Sequence, residues 1–373
     1  MEIVCAFELL ISNNINLKIF SMKLFFRSAL MFALPMFFVA CEPSDNDSYA
    51  GDTKGVDGVF YVLNSGDWKS NNSSLTKHDG VSGKTEQFLF EQRNGRILGN
   101  TANDMIVYGS KMYIAVAGES TIEVTDLDAR SIKQIECEAQ PRYLVAYGNN
   151  VYVSYYDGYV ARLDTATLNV EAKVKVGRNP EQLAVVGDKL YVANSGGMDL
   201  YTEVGADNTV SVVDLQTFTE LGKIEVVLNP SVVVAAENGV YVASYGNYAD
   251  VPSTLQYIDA QGNVSVVEKC RNMTEMCYNS GVLYGYFSQY DENWNATITY
   301  MSYNHVMDYV DSPWIKESDY PVPYKVCSVG KYIGVTASDY INDGDVYLYD
   351  TDGVLAGKIP AGLNPVKVVE VEK

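Results

Sequence analysis

The chain has few of the residues on which metal and nucleophilic catalysis depend. Histidine occurs only at His78 and His305 in 373 residues, which excludes a multi-histidine metal site. There is no Gly-x-Ser-x-Gly motif, no phosphate-binding glycine loop and no cysteine–histidine nucleophile pair. The 47 acidic residues offer many carboxylate pairs for glycoside cleavage, but nothing in the sequence singles out two of them. We therefore expect a protein that is not an enzyme and that has no cofactor.

Positive charge is also scarce. The chain has 27 Lys and Arg residues against 47 Asp and Glu residues, a net charge of -20. Binding to nucleic acid depends on neutralising phosphates with basic side chains, so this balance argues strongly against a nucleic-acid partner. The acidic residues are spread along the chain, which is typical of a solvated surface.

Two further groups of potential metal ligands do not fit a metal site. The segment from Asp339 to Asp345 resembles a calcium loop, but Ile341 occupies a ligand position, so we interpret it first as a polar turn. The cysteines behind residue 41 have an irregular spacing that matches no metal motif. We expect buried free thiols. A disulfide is the alternative if the protein works in an oxidising compartment. These cysteines are Cys137, Cys270, Cys277 and Cys327.

The long apolar run near the N-terminus is too short to span a membrane. Ser28 to Val39 follows a basic start that opens at Met22, and a spanning helix needs roughly 20 apolar residues. Phe38-Val39-Ala40-Cys41 resembles a bacterial lipobox. We predict a lipoprotein signal peptide over residues 22–40 with lipid attachment at Cys41, rather than a transmembrane anchor. Residues 1–21 have no basic start of their own and are interpreted as an upstream in-frame extension.

An acidic, flexible tether is predicted over residues 41–57. The segment from Glu42 to Asp47, Glu-Pro-Ser-Asp-Asn-Asp, resembles the signal that sends lipoproteins of the Bacteroidetes to the cell surface. A simple charged linker explains the same composition, and the two interpretations are compatible. Together with Cys41, the tether predicts a protein anchored by lipid in the outer membrane and exposed at the cell surface.

Behind the tether, one sequence unit repeats seven times. A strand centred on an apolar-tyrosine pattern recurs at intervals of about 39 to 52 residues, the range of a four-stranded propeller blade. The copies are Val59-Phe60-Tyr61-Val62, Met112-Tyr113-Ile114, Val151-Tyr152-Val153, Leu190-Tyr191-Val192, Val240-Tyr241-Val242, Leu283-Tyr284 and Tyr332-Ile333. The next strand after each copy ends at an aspartate, or at Ser302 in the sixth copy. A short polar side chain at that point can bond the backbone two residues on and close a turn.

Each unit also has an opening strand, which in most copies starts at a proline. The starts are Gln140-Pro141, Asn179-Pro180, Asn229-Pro230, Val322-Pro323 and Asn364-Pro365, with Ala102 and Met273 in the remaining copies. The last opening strand, Val366 to Val369, is followed by no further strand, and the first unit at 59–90 lacks an opening strand. Pairing these ends removes the exposed sheet edges. The sequence therefore predicts an all-β fold: a seven-bladed β-propeller over residues 58–373, closed by pairing of the C-terminal strand into the first blade.

One face of this propeller is predicted to carry the binding residues. The loops between second and third strands lie on the same side as the loops between blades, because successive strands reverse direction. These loops vary in length, and variable loops on a rigid scaffold are where binding chemistry is usually placed. Their aromatic residues supply broad, stiff contact area, although we expect about half of them to pack loops together instead. These candidates are Trp68, Tyr155, Tyr156, Tyr201, Tyr245, Tyr248, Tyr290, Trp294 and Tyr340.

A second set of candidates surrounds the predicted channel mouth. The position after each opening-strand start is occupied by Asn103, Arg142, Glu181, Ser231, Thr274, Tyr324 and Val366. This mixture of donors, acceptors and an aromatic ring suits a polyfunctional neutral ligand better than an ion. Arg142 and Arg178 favour a carboxylate or phosphate if they are not simply solvated rim charges. From this set we include Asn103, Arg142, Glu181 and Tyr324 in the predicted ligand site, together with Arg178.

Three stretches of sequence carry a resemblance to a known family. They are 61–66 with 71–75, 103–109, and 191–197 with 207–214, which read YVLNSG with NNSSL, NDMIVYG, and YVANSGG with DNTVSVVD. In these stretches the chain resembles the YncE-like surface propellers of Bacteroidetes, including the BtuG group of vitamin B12-binding lipoproteins. The resemblance spans the mature chain. It implies a non-enzymatic protein that captures a corrinoid outside the cell and delivers it to a TonB-dependent outer-membrane transporter.

Two other functions stay open at this stage. The exposed tryptophans and the many carboxylates also suit a carbohydrate-binding or polysaccharide-processing propeller. A purely structural module that docks a protein partner is the third alternative. It fits less well, because a face rich in aromatic loops is typical of recognition.

Overall fold

The computed structural model describes residues 55–290, 296–316 and 322–371, and all seven predicted blades are present in it. Each blade is a four-stranded antiparallel sheet. The predicted signal peptide, Cys41 and most of the tether lie outside the described residues. Among the described residues, no helix is long and apolar enough to cross a membrane.

The described chain contains 28 strands, which are joined by loops and turns. In chain order the first half are β1 (Val59–Asn64), β2 (Ser74–Asp79), β3 (Lys84–Glu86), β4 (Ala102–Tyr108), β5 (Lys111–Val116), β6 (Thr121–Asp126), β7 (Ser131–Glu136), β8 (Pro141–Tyr147), β9 (Asn150–Tyr155), β10 (Tyr159–Asp164), β11 (Val170–Lys175), β12 (Pro180–Val186), β13 (Lys189–Asn194) and β14 (Thr209–Asp214). The second half are β15 (Thr219–Glu225), β16 (Pro230–Ala236), β17 (Gly239–Ser244), β18 (Thr254–Asp259), β19 (Val264–Val266), β20 (Glu275–Asn279), β21 (Val282–Tyr290), β22 (Ala296–Asn304), β23 (Tyr309–Asp311), β24 (Pro323–Val329), β25 (Tyr332–Ala337), β26 (Asp343–Tyr349), β27 (Leu355–Leu363) and β28 (Pro365–Val371). The described helical segments are α1 (Leu89–Asn94) and the 3-10 turns Ala117–Glu119, Gly197–Asp199 and Glu268–Cys270.

The ring closes as the sequence predicts. Blade 1 consists of β28, β1, β2 and β3 from the centre outwards, and blades 2 to 7 each take four consecutive strands from β4 to β27. β28 pairs antiparallel with β1, with Val368 opposite Val62. The innermost strands of neighbouring blades adjoin one another around a central channel. The C-terminal strand therefore covers the edge that β1 would otherwise expose.

The hydrophobic core lies between the blades. The repeated tyrosines are buried as predicted, and Tyr113 and Tyr152 have almost no solvent exposure. Each hydrophobic cluster combines side chains of two adjacent blades, for example Tyr61 of blade 1 with Met105 and Ile114 of blade 2. Because both faces of every sheet pack against a neighbour, the second strands are apolar almost throughout. The described cysteines are free thiols, three of them buried and Cys137 half-buried.

The aspartates at the ends of the third strands close turns in the predicted way. Asp164 Oδ1, for example, accepts hydrogen bonds from the backbone N–H groups of Ala166 and Thr167 at 3.1 and 2.6 Å. The sixth copy differs from the prediction, because Ser302 lies inside β22. Asn304 ends that strand instead, and its Oδ1 accepts the N–H of Met307 at 2.9 Å. A side-chain amide closes the turn as well as a carboxylate does.

The seventh copy of the tyrosine pattern is displaced by two residues. β25 ends at Ala337, opposite Pro323, just as β9 ends at Tyr155, opposite Pro141. Counting back from these ends places Gly334, not Tyr332, at the position of the repeated tyrosine. A Cβ at Gly334 would lie 2.8 Å from Cγ1 of Val368. The closing strand thus packs where a tyrosine ring lies in the other blades.

Candidate functional site

The long loops gather on one face, which we call the loop face. The loops between second and third strands span 65–73 in blade 1, 195–208 in blade 4 and 245–253 in blade 5. The opposite face carries mostly short turns, such as the two residues between β8 and β9. This distribution matches the predicted rim of variable loops. The loop between β21 and β22, with Trp294, lies outside the described residues, and so does the side chain of Tyr290.

Bulges at the start of the innermost strands bring extra residues to the channel mouth. The pairing register shifts at this point in most innermost strands, for example between Pro141 and Leu144 and between Pro323 and Lys325. A bulge re-aims side chains, so two consecutive residues reach the mouth instead of one. The sequence predicted only the first residue of each pair. The second residues are Asp104, Tyr143, Gln182, Glu275, Lys325 and Lys367, whereas Val232 at the same position packs in the core between blades 5 and 6.

Arg142 is the centre of a network that joins three blades. It is 3% exposed, and its Nε and Nη2 donate to the two carboxylate oxygens of Glu181 at 3.0 Å. Its Nη1 donates to Asn103 Oδ1 at 2.9 Å, and its guanidinium carbon lies 4.9 Å from the ring centre of Tyr156. Burial alone would lower the pKa of Arg142, but the charge of Glu181 outweighs it and the pKa is raised. The predicted residues Asn103, Arg142, Glu181 and Tyr156 are therefore in contact, with the arginine charge already neutralised.

A second, partly buried ion pair lies on the other side of the mouth. Lys325 Nζ donates to Glu275 Oε1 at 2.5 Å, and the Tyr245 hydroxyl donates to the same oxygen at 2.9 Å. Burial lowers the pKa of Lys325, but Glu275 outweighs it and raises the pKa well above its usual value. Lys325 therefore stays charged. A third pair, Lys367 with Asp104 at 3.2 Å, links blade 1 to blade 2.

Tyr143, on the innermost strand of blade 3, contributes a phenol to the channel mouth. Its phenol interacts electrostatically with Glu181 of blade 4, Glu275 of blade 6 and Lys325 of blade 7. Only a group near the axis can approach charges on such distant blades. Burial raises the pKa of Tyr143, so its hydroxyl is a neutral donor and acceptor. We call Arg142, Tyr143, Glu181, Glu275 and Lys325 the floor; its two ion pairs leave it without net charge.

Tyrosines form a wall above the floor, which we call the tyrosine arc. It comprises Tyr201, Tyr245, Tyr248, Tyr324 and Tyr340. Tyr201 is 75% and Tyr248 50% exposed, and the two phenols interact across the loops of blades 4 and 5. In blade 7, the rings of Tyr324 and Tyr340 meet edge to face with centroids 5.5 Å apart. Tyr245 and Tyr324 both lie beside Lys325, which joins the arc to the floor.

Three described site residues of the prediction lie outside the floor, the arc and the contacts of Arg142. Tyr155 is 1% exposed in the core, with its hydroxyl 3.4 Å from Cys137 Sγ, because its strand position faces the neighbouring blade. Arg178 is held inside the blade 4 loop, where it binds Asp199 and donates to the Gly205 carbonyl at 2.9 Å. Trp68 is 43% exposed on the loop of blade 1, with Lys69 Nζ 4.6 Å from its ring centre.

The segment that resembles a calcium loop forms a turn closed by Asp339. Asp339 Oδ1 accepts the backbone N–H groups of Ile341 and Asn342 at 2.9 and 2.7 Å. These bonds lower the pKa of Asp339 to about 2. Among the described residues, no group of three or more His, Cys, Asp or Glu side chains is arranged to hold a metal ion.

Comparison with known proteins shows the fold. No protein-family model matches the chain, and no curated protein matches it. Among solved structures, the hydrazine synthase of Kuenenia stuttgartiensis is similar with a TM-score of 0.58 and 16% identity, over 70% of this chain and 86% of that one. The computationally designed Ika8 protein is similar with a TM-score of 0.50 and 12% identity, over 77% of each chain. BamB from Moraxella catarrhalis has a TM-score of 0.48 and 12% identity, over 83% and 85%.

The first two likenesses support the fold and nothing more specific, because proteins of one fold carry many unrelated functions. The fold is consistent with a binding or scaffolding role. The floor and the arc are features of this chain's own residues.

Proposed function

We propose that this chain is a non-enzymatic, surface-anchored binding protein that captures a corrinoid and delivers it to a TonB-dependent outer-membrane transporter. The observation that carries the proposal is the convergence of the tyrosine arc and the uncharged floor at one mouth. The corrinoid itself and the transporter come from the resemblance to the BtuG group. A corrinoid is wide, flat and edged with amides, so aromatic rings and hydrogen-bonding groups match both its faces and its edge.

The arc supports a broad ligand because its rings span several blades. Tyr201 and Tyr248 stand on long loops of blades 4 and 5, and Tyr340 stands on blade 7. Tyrosine offers large contact area with few rotatable bonds, so its ordering on binding costs little entropy. The balanced ion pairs of the floor favour a ligand without net charge, because an ion would have to compete with partners already in place.

The first described residues support attachment from the side opposite to the loop face. Gly55 lies beside Gly80, in the turn between β2 and β3, on the face opposite to the loop face.

Calorimetric titration of the mature protein with cyanocobalamin and with cobinamide tests the proposal. We expect binding, and we expect Tyr201→Ala and Tyr248→Ala each to weaken it about tenfold, as aromatic anchors of an interface do. Tyr309→Ala is the matched control, because Tyr309 is 60% exposed at the start of β23 on the opposite face. A complete lack of heat with both corrinoids rejects the corrinoid proposal. Co-purification with the transporter of the same cell envelope tests delivery.

Trp68 favours a second candidate function, which is the binding of a carbohydrate. It is exposed on the loop face, and the neighbouring Asn100 and Asp67 side chains supply hydrogen-bonding groups of the kind that sugars bind. A glycan array and an assay for released reducing ends, both with wild type and Trp68→Ala, distinguish this candidate. If neither assay gives a signal, the carbohydrate candidate is rejected.

A further inference from the structure

The floor contains a donor and an acceptor placed side by side. Among the described residues, Glu275 Oε1 is the acceptor of both the Lys325 ammonium and the Tyr245 hydroxyl. An ammonium group has three N–H donors, so Lys325 retains donors for a further partner. The second carboxylate oxygen of Glu275, Oε2, accepts none of these bonds. The pair thus presents N–H groups next to a carboxylate oxygen.

This pair is accessible from the loop face. The Lys325 side chain is 23% exposed and that of Glu275 is 9% exposed, which is enough for contact with a ligand but not for free hydration. The phenol of Tyr143 interacts electrostatically with both groups, and its neutral hydroxyl can donate or accept. The walls around the pair are tyrosines of the arc.

A primary amide matches this arrangement on both sides. Its carbonyl oxygen accepts from Lys325, while its N–H group donates to Glu275 Oε2. A carboxylate of the same shape accepts from Lys325 equally well but places a negative oxygen against Glu275. Burial strengthens this repulsion, because the partially dry mouth screens charges less than water does.

We propose that the Lys325–Glu275 pair, with Tyr143, is the specificity point of the mouth and selects ligands with an uncharged primary amide over the corresponding carboxylates. The inference rests on the proposed function, since it names the chemical group by which the same site recognises its solute. It goes beyond that function because it assigns the selection to three residues that the sequence pattern did not single out.

The test compares cyanocobalamin with its derivative in which one propionamide is hydrolysed to a carboxylic acid, by calorimetry at neutral pH. Wild type should prefer the amide by about tenfold or more, the scale of one charge-assisted hydrogen bond. Glu275→Gln replaces Oε2 by a donor or a neutral acceptor and leaves the Lys325 charge uncompensated. In this variant the preference should reverse toward the carboxylic acid.

Two further variants keep the test valid if Glu275→Gln folds poorly. Lys325→Met removes the ammonium, and Lys325→Met with Glu275→Gln removes both charges, so no unpaired ion is left in the mouth. The double variant should abolish the discrimination while tyrosine stacking continues to hold the ligand. Lys325→Met alone leaves the Glu275 carboxylate to repel a ligand carboxylate, so it should retain the preference for the amide. Circular dichroism with thermal unfolding establishes that each variant is folded, and Tyr309→Ala should behave as wild type.

The outcomes separate the two proposals. If wild type binds cyanocobalamin but discriminates no better than the double variant Lys325→Met with Glu275→Gln, the specificity point is wrong and the proposed function stands. If the preference survives in Glu275→Gln, the assignment to Glu275 is wrong. If wild type binds neither corrinoid, the proposed function fails and the specificity point fails with it.

Discussion

Arg142 on the innermost strand of blade 3 and Glu181 on that of blade 4 form a two-pronged, buried ion pair, with Nε and Nη2 each 3.0 Å from a carboxylate oxygen. The bond joins adjacent blades at the level where the channel opens. An unpaired charge at this depth would be costly, whereas the pair together costs little. The pair thus fixes the floor and removes its charge at the same time.

Removing one partner of this pair should destabilise the protein strongly. Glu181→Gln leaves the Arg142 charge buried and uncompensated, and we expect a loss of about 3 kcal/mol in the free energy of unfolding. Denaturant unfolding followed by circular dichroism measures it. The double variant Arg142→Met with Glu181→Met should lose less than Glu181→Gln. Lys84→Met, which breaks a pair whose lysine is 69% exposed, should change stability by less than about 0.5 kcal/mol. Equal losses in all three would contradict a buried pair.

Deleting residues 365–373 should open the ring. The deletion removes β28 and exposes the edge of β1, together with the apolar surface that Val368 covers in the closed ring. We expect aggregation in size-exclusion chromatography and loss of a cooperative thermal transition. A synthetic peptide of residues 365–371 should restore a monomer, and the same peptide with Val368→Asp should not. A truncated chain that melts like wild type would argue against closure by this strand.

The imidazole of His78 should make stability depend on pH. Burial lowers the pKa of His78, an effect that the charge of Asp79 partly opposes, and Nδ1 lies 2.8 Å from Thr85 Oγ1. A lowered pKa in the folded state means that the unfolded chain binds the proton more readily. The stabilisation is therefore complete above the unfolded pKa of about 6.5 and is lost as the pH falls below it. Denaturant unfolding from about pH 7 to about pH 5 should show a steeper loss in wild type than in His78→Asn. Parallel curves would disprove the contribution of His78.

Arg178 should hold the blade 4 loop in place. It binds Asp199 and the Gly205 carbonyl, and its Nε lies 3.7 Å from Asp207 Oδ2. Arg178→Ala should increase hydrogen exchange across residues 195–208 and weaken ligand binding through Tyr201, with little change in the melting temperature. The control is Arg271→Ala, which breaks an exposed pair with Glu268. Unchanged exchange in Arg178→Ala would show that the loop is held by other contacts.

Parts of the site were predictable because they follow the repeat. The turn-closing aspartates and the first residue after each opening-strand start recur at fixed offsets, so Asn103, Arg142 and Glu181 could be placed at the mouth. Tyr155 was assigned to the variable rim because it ends a strand next to a loop. Its ring packs against the adjacent blade instead. Whether the residue at a strand end is buried depends on contacts between blades, which the repeat pattern does not show.

The sequence by itself determined the number of blades, the closure of the ring and the face that carries the long loops, because each depends on periodic patterns and on which strands lack a partner. Only the tertiary structure determined which residues form the floor. Tyr143, Glu275 and Lys325 are far apart in the chain, and they come together because the innermost strands of separate blades enclose one channel. Local bulges in the strands of Tyr143 and Lys325 turn one more side chain toward it.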